Sequence, residues 1–229
     1  MKAKISEIFL SIQGEGKYLG VRQVFIRFFG CRLDCAWCDT IDARDPQSGC
    51  FTEMGVDEVM DKVALIGAGC HSVSLTGGEP LLQVNFLKEL LPGLKKAGRR
   101  TYLETNGVEV SALRAVLDSI DMIAADIKLP SSTKGGAFWK EHAEFLRLSK
   151  GKDLFVKTVI TAGTSGEDIH RAVRLVAAVD PAIPLILQPE TSGFDQDLLE
   201  KCRLFQKSCL EVLEDVRIIP QMHRFVGVR

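Results

Sequence analysis

Short, almost wholly apolar runs recur along this chain, separated by segments whose apolar residues repeat every three or four positions. The runs at 24–29, 73–75, 101–104, 122–127, 154–160, 185–187 and 216–219 read as strands. Segments 56–66, 85–97, 111–117, 137–148, 167–178 and 196–210 read as helices. In 85–97, Phe86, Leu87, Leu90, Leu91 and Leu94 form one stripe, and Lys88, Lys95 and Lys96 face water. Strands this apolar are covered on both faces, so the alternation predicts an α/β fold with a parallel sheet wrapped by helices. Stretches 39–55 and 130–136 read as loops. No internal repeat or long linker divides the 229 residues, and one domain is expected.

In a (βα) barrel, whole or partial, chemistry sits at the C-terminal ends of the strands. The unusual residues of this chain fall there. CRLDCAWC follows VFIRFFG, TGGEP follows VSL, ETNG follows TYL, DIK ends MIAAD, and LQPE ends PLIL.

Charge narrows the partners. Twenty-nine basic residues balance thirty acidic ones, which argues against a chain built around a nucleic-acid backbone. No apolar run is long enough to span a membrane, and MKAKISEIFLSIQGEG does not read as a secretory leader, so a cytoplasmic protein is expected. Seven cysteines in a reducing compartment do not suggest disulfides. Cys31, Cys35 and Cys38 crowd into one loop, whereas Cys50, Cys70, Cys202 and Cys209 are scattered. A structural zinc site wants a fourth ligand from a second CxxC or an HxxxH pair, and neither is present. An electron-transfer [4Fe–4S] cluster also usually takes four cysteines, so three thiolates leave one iron open. Cys50 stays possible as a fourth ligand, although nothing else in its surroundings assigns it a role.

Cys31-x3-Cys35-x2-Cys38 after the first barrel strand, with Trp37 before the last cysteine and TGGEP downstream, resembles the signature of the radical S-adenosylmethionine (SAM) enzymes. The resemblance implies that SAM's methionine chelates the open iron and that one electron cleaves SAM to a 5′-deoxyadenosyl radical. It implies SAM contacts from Ala36, Trp37, Asp39, Gly78, Glu79, Thr105, Asn106, Asp126, Ile127, Lys128, Gln188, Pro189, Glu190 and Thr191. Gly77 and Gly78 remove side chains where backbone approaches a ligand. Glu79 either accepts from SAM's ammonium or caps the following helix. Asp126 and Lys128 are charges at the end of an apolar strand, costly unless paired or used.

SIQGEG, FIRFFGC, the CDT after the cluster and the terminal PQMHRFVGVR narrow this further. End to end, the chain resembles the 7-carboxy-7-deazaguanine synthases, lyases of queuosine and other 7-deazapurine biosynthesis. That implies a partial (βα)6 TIM-like barrel, with a substrate segment at 1–22 and a closing segment at 216–229. It also implies ring contraction of 6-carboxy-5,6,7,8-tetrahydropterin with loss of ammonia, SAM used catalytically, and Mg2+. Thr40 takes the magnesium role, and Ile12, Gln13, Gly14, Glu15, Arg27, Thr76, His223 and Arg229 face the pterin. Arg27, inside an apolar strand, needs an anion: the substrate carboxylate as a fork-to-fork partner, or an acid of the barrel. An external flavodoxin-like or ferredoxin-like electron donor and a homodimer are implied as well.

Two other readings compete. A small radical SAM activase of a glycyl-radical enzyme would act on a protein, and a zinc or electron-transfer protein would cleave no SAM. The cysteines separate themselves by mutation. Cys31→Ala, Cys35→Ala and Cys38→Ala are each expected to abolish the cluster's absorbance in anaerobically reconstituted protein, and Cys50→Ala to leave it. Loss of the absorbance in the Cys50 variant would overturn this ligand assignment.

Overall fold

The computed structural model describes residues 1–45 and 47–227. Its strands are β1 (Lys2–Ile12), β2 (Arg22–Phe28), β3 (Thr52–Gly55), β4 (Ser72–Gly77), β5 (Thr101–Thr105), β6 (Met122–Asp126), β7 (Asp153–Ile160), β8 (Leu185–Pro189) and β9 (Val216–Ile218). They form one sheet in the order β3-β1-β2-β4-β5-β6-β7-β8-β9. Neighbours from β2 to β9 are parallel, and β1 is antiparallel to β2 and β3. The sheet ends in β3 and β9 rather than closing, which makes it a partial barrel. Its helices are α1 (Ile41–Arg44), α2 (Val56–Ile66), α3 (Val84–Lys96), α4 (Val110–Val116), α5 (Pro130–Thr133), α6 (Trp139–Leu148), α7 (Gly166–Ala177), α8 (Gln196–Cys209) and α9 (Met222–Val226).

Every strand and helix expected from periodicity is present within a few residues. The α3 stripe is buried as expected, with Phe86, Leu87, Leu90, Leu91 and Leu94 against the sheet. Caps fix several starts: Ser165 accepts from the Asp168 N–H before α7, and Asp195 accepts from the Leu198 N–H before α8. Three short helices and two strands were not expected. Stretch 39–55, read as loop, holds α1 and β3, and 130–136 holds α5.

The larger addition is β1. Its register against β2 shifts between Ile5 and Glu7. Ala3 and Ile5 pack in the main core, whereas beyond the shift Ile8 and Leu10 do so and Glu7 and Phe9 turn to the opposite face. A bulge at Ser6 therefore swaps the parity of the strand, and the period-two pattern that would have announced it is broken in the middle.

The faces of the parallel strands divide cleanly. Outward residues such as Val24, Ile26, Val73, Leu75, Leu103, Ile123, Val156 and Leu187 join the helices in one large core. Inward residues near the strand starts, Tyr102, Met122, Ala124, Phe155 and Ile186, form a second, small apolar plug. The β1–β2 connection descends along this interior. Gly16, at φ +65°, lies where a Cβ would sit 2.4 Å from the Phe155 ring, and the Tyr18 hydroxyl donates to Asp153 at the start of β7.

The β4 end is tied to its neighbours by close backbone contact. A Cβ on Gly77 would lie 2.4 Å from the Phe28 carbonyl oxygen, and one on Gly78 would lie 2.1 Å from that of Gly30. The close approach expected of these glycines toward a ligand is thus made first to the chain itself. Glu79 is likewise corrected. It is fully buried and does not face the cavity described below. Its carboxylate accepts from the Leu81 N–H (3.0 Å), the Asn106 N–H (2.8 Å) and the Thr105 hydroxyl (2.9 Å). It caps the turn into α3 and staples β4 to β5, so the capping alternative is the one realised. Burial pushes the Glu79 carboxyl up to about 7, although these three donors pull the other way.

The folded protein therefore holds the Glu79 proton more tightly than the unfolded chain, and this group's contribution to stability falls as pH rises from 4.5 toward about 7. The thermal midpoint of the wild type relative to Glu79→Gln is expected to fall across that window. Parallel midpoint curves would contradict the assignment.

Candidate active site

A cavity of about 460 Å3 lies at the C-terminal ends of the parallel strands. It is built by moving two residues further along each inward face. Where the plug has Tyr102, Ala124, Phe155 and Ile186, the next inward positions are Glu104, Asp126, Lys157 and Gln188, and all four line the cavity. From β2 and β4 come Arg27 and Thr76, which are register partners. The barrel interior thus changes from apolar to polar within one strand repeat.

The loop after β2 carries Cys31, Cys35 and Cys38, and all three border this cavity. Burial raises the Cys31 thiol, and it pushes Cys35 up to about 11, helped by Asp126 and by the neighbouring Cys31 and Cys38 and opposed by Lys128. A thiol such as Cys35, whose ionisation is opposed by burial and by two neighbouring thiols, is relieved by binding positive charge, which fits an iron–sulfur cluster. Cys50 is exposed and does not reach the cavity. Trp37 donates to the Ser132 hydroxyl (3.0 Å), and its ring carries the Lys128 ammonium 4.5 Å from its centroid. Thr40 precedes α1 without using its side chain as a cap, so its hydroxyl faces the cavity with only the Cys38 sulfur near, at 3.9 Å.

Beside the cysteines, buried polar atoms lack hydrogen-bond partners among the described residues. Asn106 Nδ2, Asp126 Oδ1 and Gln188 Oε1 are fully enclosed yet make no hydrogen bond, and all three residues line the cavity. Orphaned donors and acceptors at this depth are costly unless a ligand meets them. Together they offer a donor and two acceptors, which suits the ammonium, hydroxyl and adenine groups of SAM.

Several expected contacts are placed differently. Ile127 is packed in the core, and its backbone is spent on Lys157 O and the Thr158 hydroxyl. Pro189 is buried at the end of β8. Ala36, Glu190 and Thr191 border an adjoining recess instead, of about 350 Å3, shared with Trp37, Asp39 and Gln188. Thr105 lines the cavity, but its hydroxyl is committed to Glu79. Gln13 is 3% exposed, and its amide is held by Gln23, Glu104 and the Glu15 N–H, so it braces the cavity rather than presenting a free edge. Asp126 and Lys128 pair with each other at 2.8 Å. Arg27 has a protein partner: its Nε donates to Glu7 at 2.8 Å, and its guanidinium lies 5.6 Å from the centroid of the Phe9 ring. That is the barrel-acid alternative, made through Nε.

Ile12, Gln13, Gly14, Glu15, Arg27, Thr76 and His223 do come together at this cavity. The tail crosses its mouth. The Met222 N–H donates to the Gly14 carbonyl (2.9 Å), and a Cβ on Gly14 would meet the His223 ring at 2.4 Å. Gln221 bridges Glu15 (2.7 Å) and Asp39 (2.8 Å), and Arg224 approaches Asp39 at 3.7 Å. Arg229 lies outside the described residues. The ligand atoms of Glu15, Asp39 and His223 lie within 4.8 Å of one another. Glu15 and Asp39 are already compensated by Lys157, Gln221 and Arg224, so this group does not by itself define an ion site.

Glu104 and Lys157 were missed. Glu104 accepts from Gln13 (2.8 Å), Thr76 (3.0 Å) and Ser74 (3.3 Å). Lys157 pairs with Glu15. Part of a signal was there, since each is a charge two positions past an aromatic residue of an apolar strand, as is Arg27 after Phe25, but the face it takes is set by register. Burial alone would raise Glu15, but the Lys157 ammonium, with Gln221 and His223, outweighs it and holds the carboxyl at about 2.

Comparison with known proteins agrees with this geometry. Residues 25–178 match the model of the radical SAM superfamily. The chain is 39% identical to the 7-carboxy-7-deazaguanine synthase of Geobacter sulfurreducens, over 98% of this chain and 97% of that protein. It is 37% identical to the synthase of Methanothermobacter thermautotrophicus, over 100% and 99%. Among solved structures, that of QueE from Escherichia coli covers 97% of this chain and 95% of its own, with TM-score 0.69 at 23% identity, a likeness of fold. No helix among the described residues is long and apolar enough to cross a membrane. With its three-cysteine loop, its open parallel barrel and full-length relatives of one kind, this chain belongs to the radical SAM superfamily and, within it, to the 7-carboxy-7-deazaguanine synthases.

Proposed function

We propose that this protein converts 6-carboxy-5,6,7,8-tetrahydropterin to 7-carboxy-7-deazaguanine, losing one ammonia and using SAM catalytically with Mg2+. The observation that carries the reading is one cavity with two chemically distinct walls. The cysteine loop and the unpartnered Asn106, Asp126 and Gln188 atoms form one wall, and β1, Arg27 and the tail form the other. A cluster on three thiolates, with SAM on its open iron, supplies hydrogen-atom abstraction from carbon.

The chain's own residues bind and orient. Cys31, Cys35 and Cys38 would hold the cluster, and Asn106, Asp126 and Gln188 would seat SAM. The Arg27 edge not used by Glu7 takes the substrate carboxylate, steered by the Phe9 ring beneath it. Glu15 and the backbone around Gly14 receive the N–H edge of the pterin, and His223 with the tail shields the site from water. Thr40 would contribute its hydroxyl to Mg2+, an ion that commonly binds through few protein oxygens. The reading includes an external flavodoxin-like or ferredoxin-like electron donor, a cytoplasmic location and a homodimeric assembly.

Anaerobic incubation of reconstituted protein with reductant, SAM, Mg2+ and the pterin, followed by mass spectrometry, tests this. The expected result is 7-carboxy-7-deazaguanine without net consumption of SAM. SAM cleaved with the pterin untouched would overturn the substrate and return the activase reading.

A further inference from the structure

Lys157 touches charge on both walls of the cavity. It projects inward from the middle of β7, its side chain is 12% exposed, and it borders the cavity. On one side its ammonium pairs with the Glu15 carboxylate, whose other oxygen accepts from Gln221 of the tail. On the other side it lies 3.9 Å from Asp126 Oδ2, the oxygen that also takes the Lys128 ammonium at 2.8 Å. Asp126 Oδ1 is buried and unpartnered. A continuous chain of opposite charges, Lys128–Asp126–Lys157–Glu15, thus runs from β6 across β7 to the N-terminal loop. All four side chains are largely buried, so these interactions are weakly screened.

We propose that Lys157 is a positioning residue that couples the two ligands of the cavity, making the binding of SAM and of the pterin mutually dependent. The proposal rests on the preceding reading, in which Asp126 faces SAM and Glu15 faces the pterin. A donor from SAM on Asp126 Oδ1 fixes the rotation of that carboxylate and therefore where Oδ2 holds Lys157. Lys157 in turn fixes Glu15 and, through Gln221, the tail. The ligand that arrives second finds its carboxylate already ordered, so it loses less conformational freedom on binding. Burial favours the neutral amine, but Glu15, Asp126 and Glu104 together hold Lys157 protonated. The link is ionic throughout.

The test is SAM affinity of the anaerobically reconstituted enzyme with and without saturating 6-carboxytetrahydropterin, with reductant omitted so that no turnover occurs. In the wild type the pterin is expected to tighten SAM by at least about 5-fold, and SAM to tighten the pterin by the same factor. In Lys157→Met the ratio is expected to fall to about 1 while both ligands still bind, and in Lys157→Arg it is expected to recover in part. A residue that only supports the fold would change stability and leave the ratio alone. A wild-type ratio near 1 with both ligands bound overturns the proposal without any variant, and leaves the function standing. A wild-type ratio preserved in Lys157→Met overturns it too. A wild type that binds SAM but no pterin removes the functional reading, and this proposal with it.

Discussion

The ion pair between Glu15 and Lys157 joins a loop to a strand inside an open barrel, and much of the structure is arranged to permit it. An isolated charge at this depth would neutralise itself or unfold its surroundings, since desolvation costs several kcal/mol per ion. Here three of the cavity's charges have a partner of opposite sign, Glu15 with Lys157, Asp126 with Lys128 and Arg27 with Glu7, and Glu104 is held by three neutral donors instead. Such pairs add little net stability over apolar packing of the same volume. What they secure is geometry, because a carboxylate held from two directions cannot turn away from a ligand. The stability comes from elsewhere, from the outward core under the helices and from the small plug of Tyr102, Met122, Ala124, Phe155 and Ile186 beneath the cavity.

That layering explains how one set of strands serves both fold and chemistry. In β5 to β8 each inward face is apolar near the strand start and polar one repeat later. The barrel is therefore sealed below and receptive above. The open edge is managed by the β1–β2 connection, which enters the interior at Gly16 and is pinned at the bottom by Tyr18 on Asp153. The same connection carries Gln13 and Glu15 into the cavity, so filling the gap in the barrel and shaping the site are one event. Family membership fits this division, since the cluster loop and the strand ends carry the shared chemistry, and the first fifteen residues and the tail build the second wall.

Most of the parallel sheet was legible in the chain, because apolar runs bounded by Gly, Pro and Asp leave few alternatives to buried strands. The cluster loop was legible too, since three thiols at that spacing have few other uses. What escaped had physical causes. The bulge at Ser6 reverses the alternation of β1 halfway along, so neither half is long enough to stand out. Glu104 and Lys157 look like ordinary strand residues until the inward face is known, and the face is set by register, which only the folded sheet provides. Glu79 and Thr105 hold each other and nearby backbone, and Gln13 holds Gln23, Glu104 and the Glu15 N–H, so each braces its surroundings. A polar residue beside a site reads the same in sequence whether it touches the ligand or braces the residue that does. The three cavity-lining atoms left without partners among the described residues, on Asn106, Asp126 and Gln188, separate the two cases more sharply than residue type does.

The central claim is that one cavity seats two ligands on opposite walls. An anaerobic crystal structure of the reconstituted protein with SAM and 6-carboxytetrahydropterin tests it most directly. SAM is expected against Asn106, Asp126 and Gln188, and the pterin between Arg27 and the Gly14–Glu15 backbone, under His223. A pterin bound on the Asp126 wall, or outside this cavity, would contradict the account.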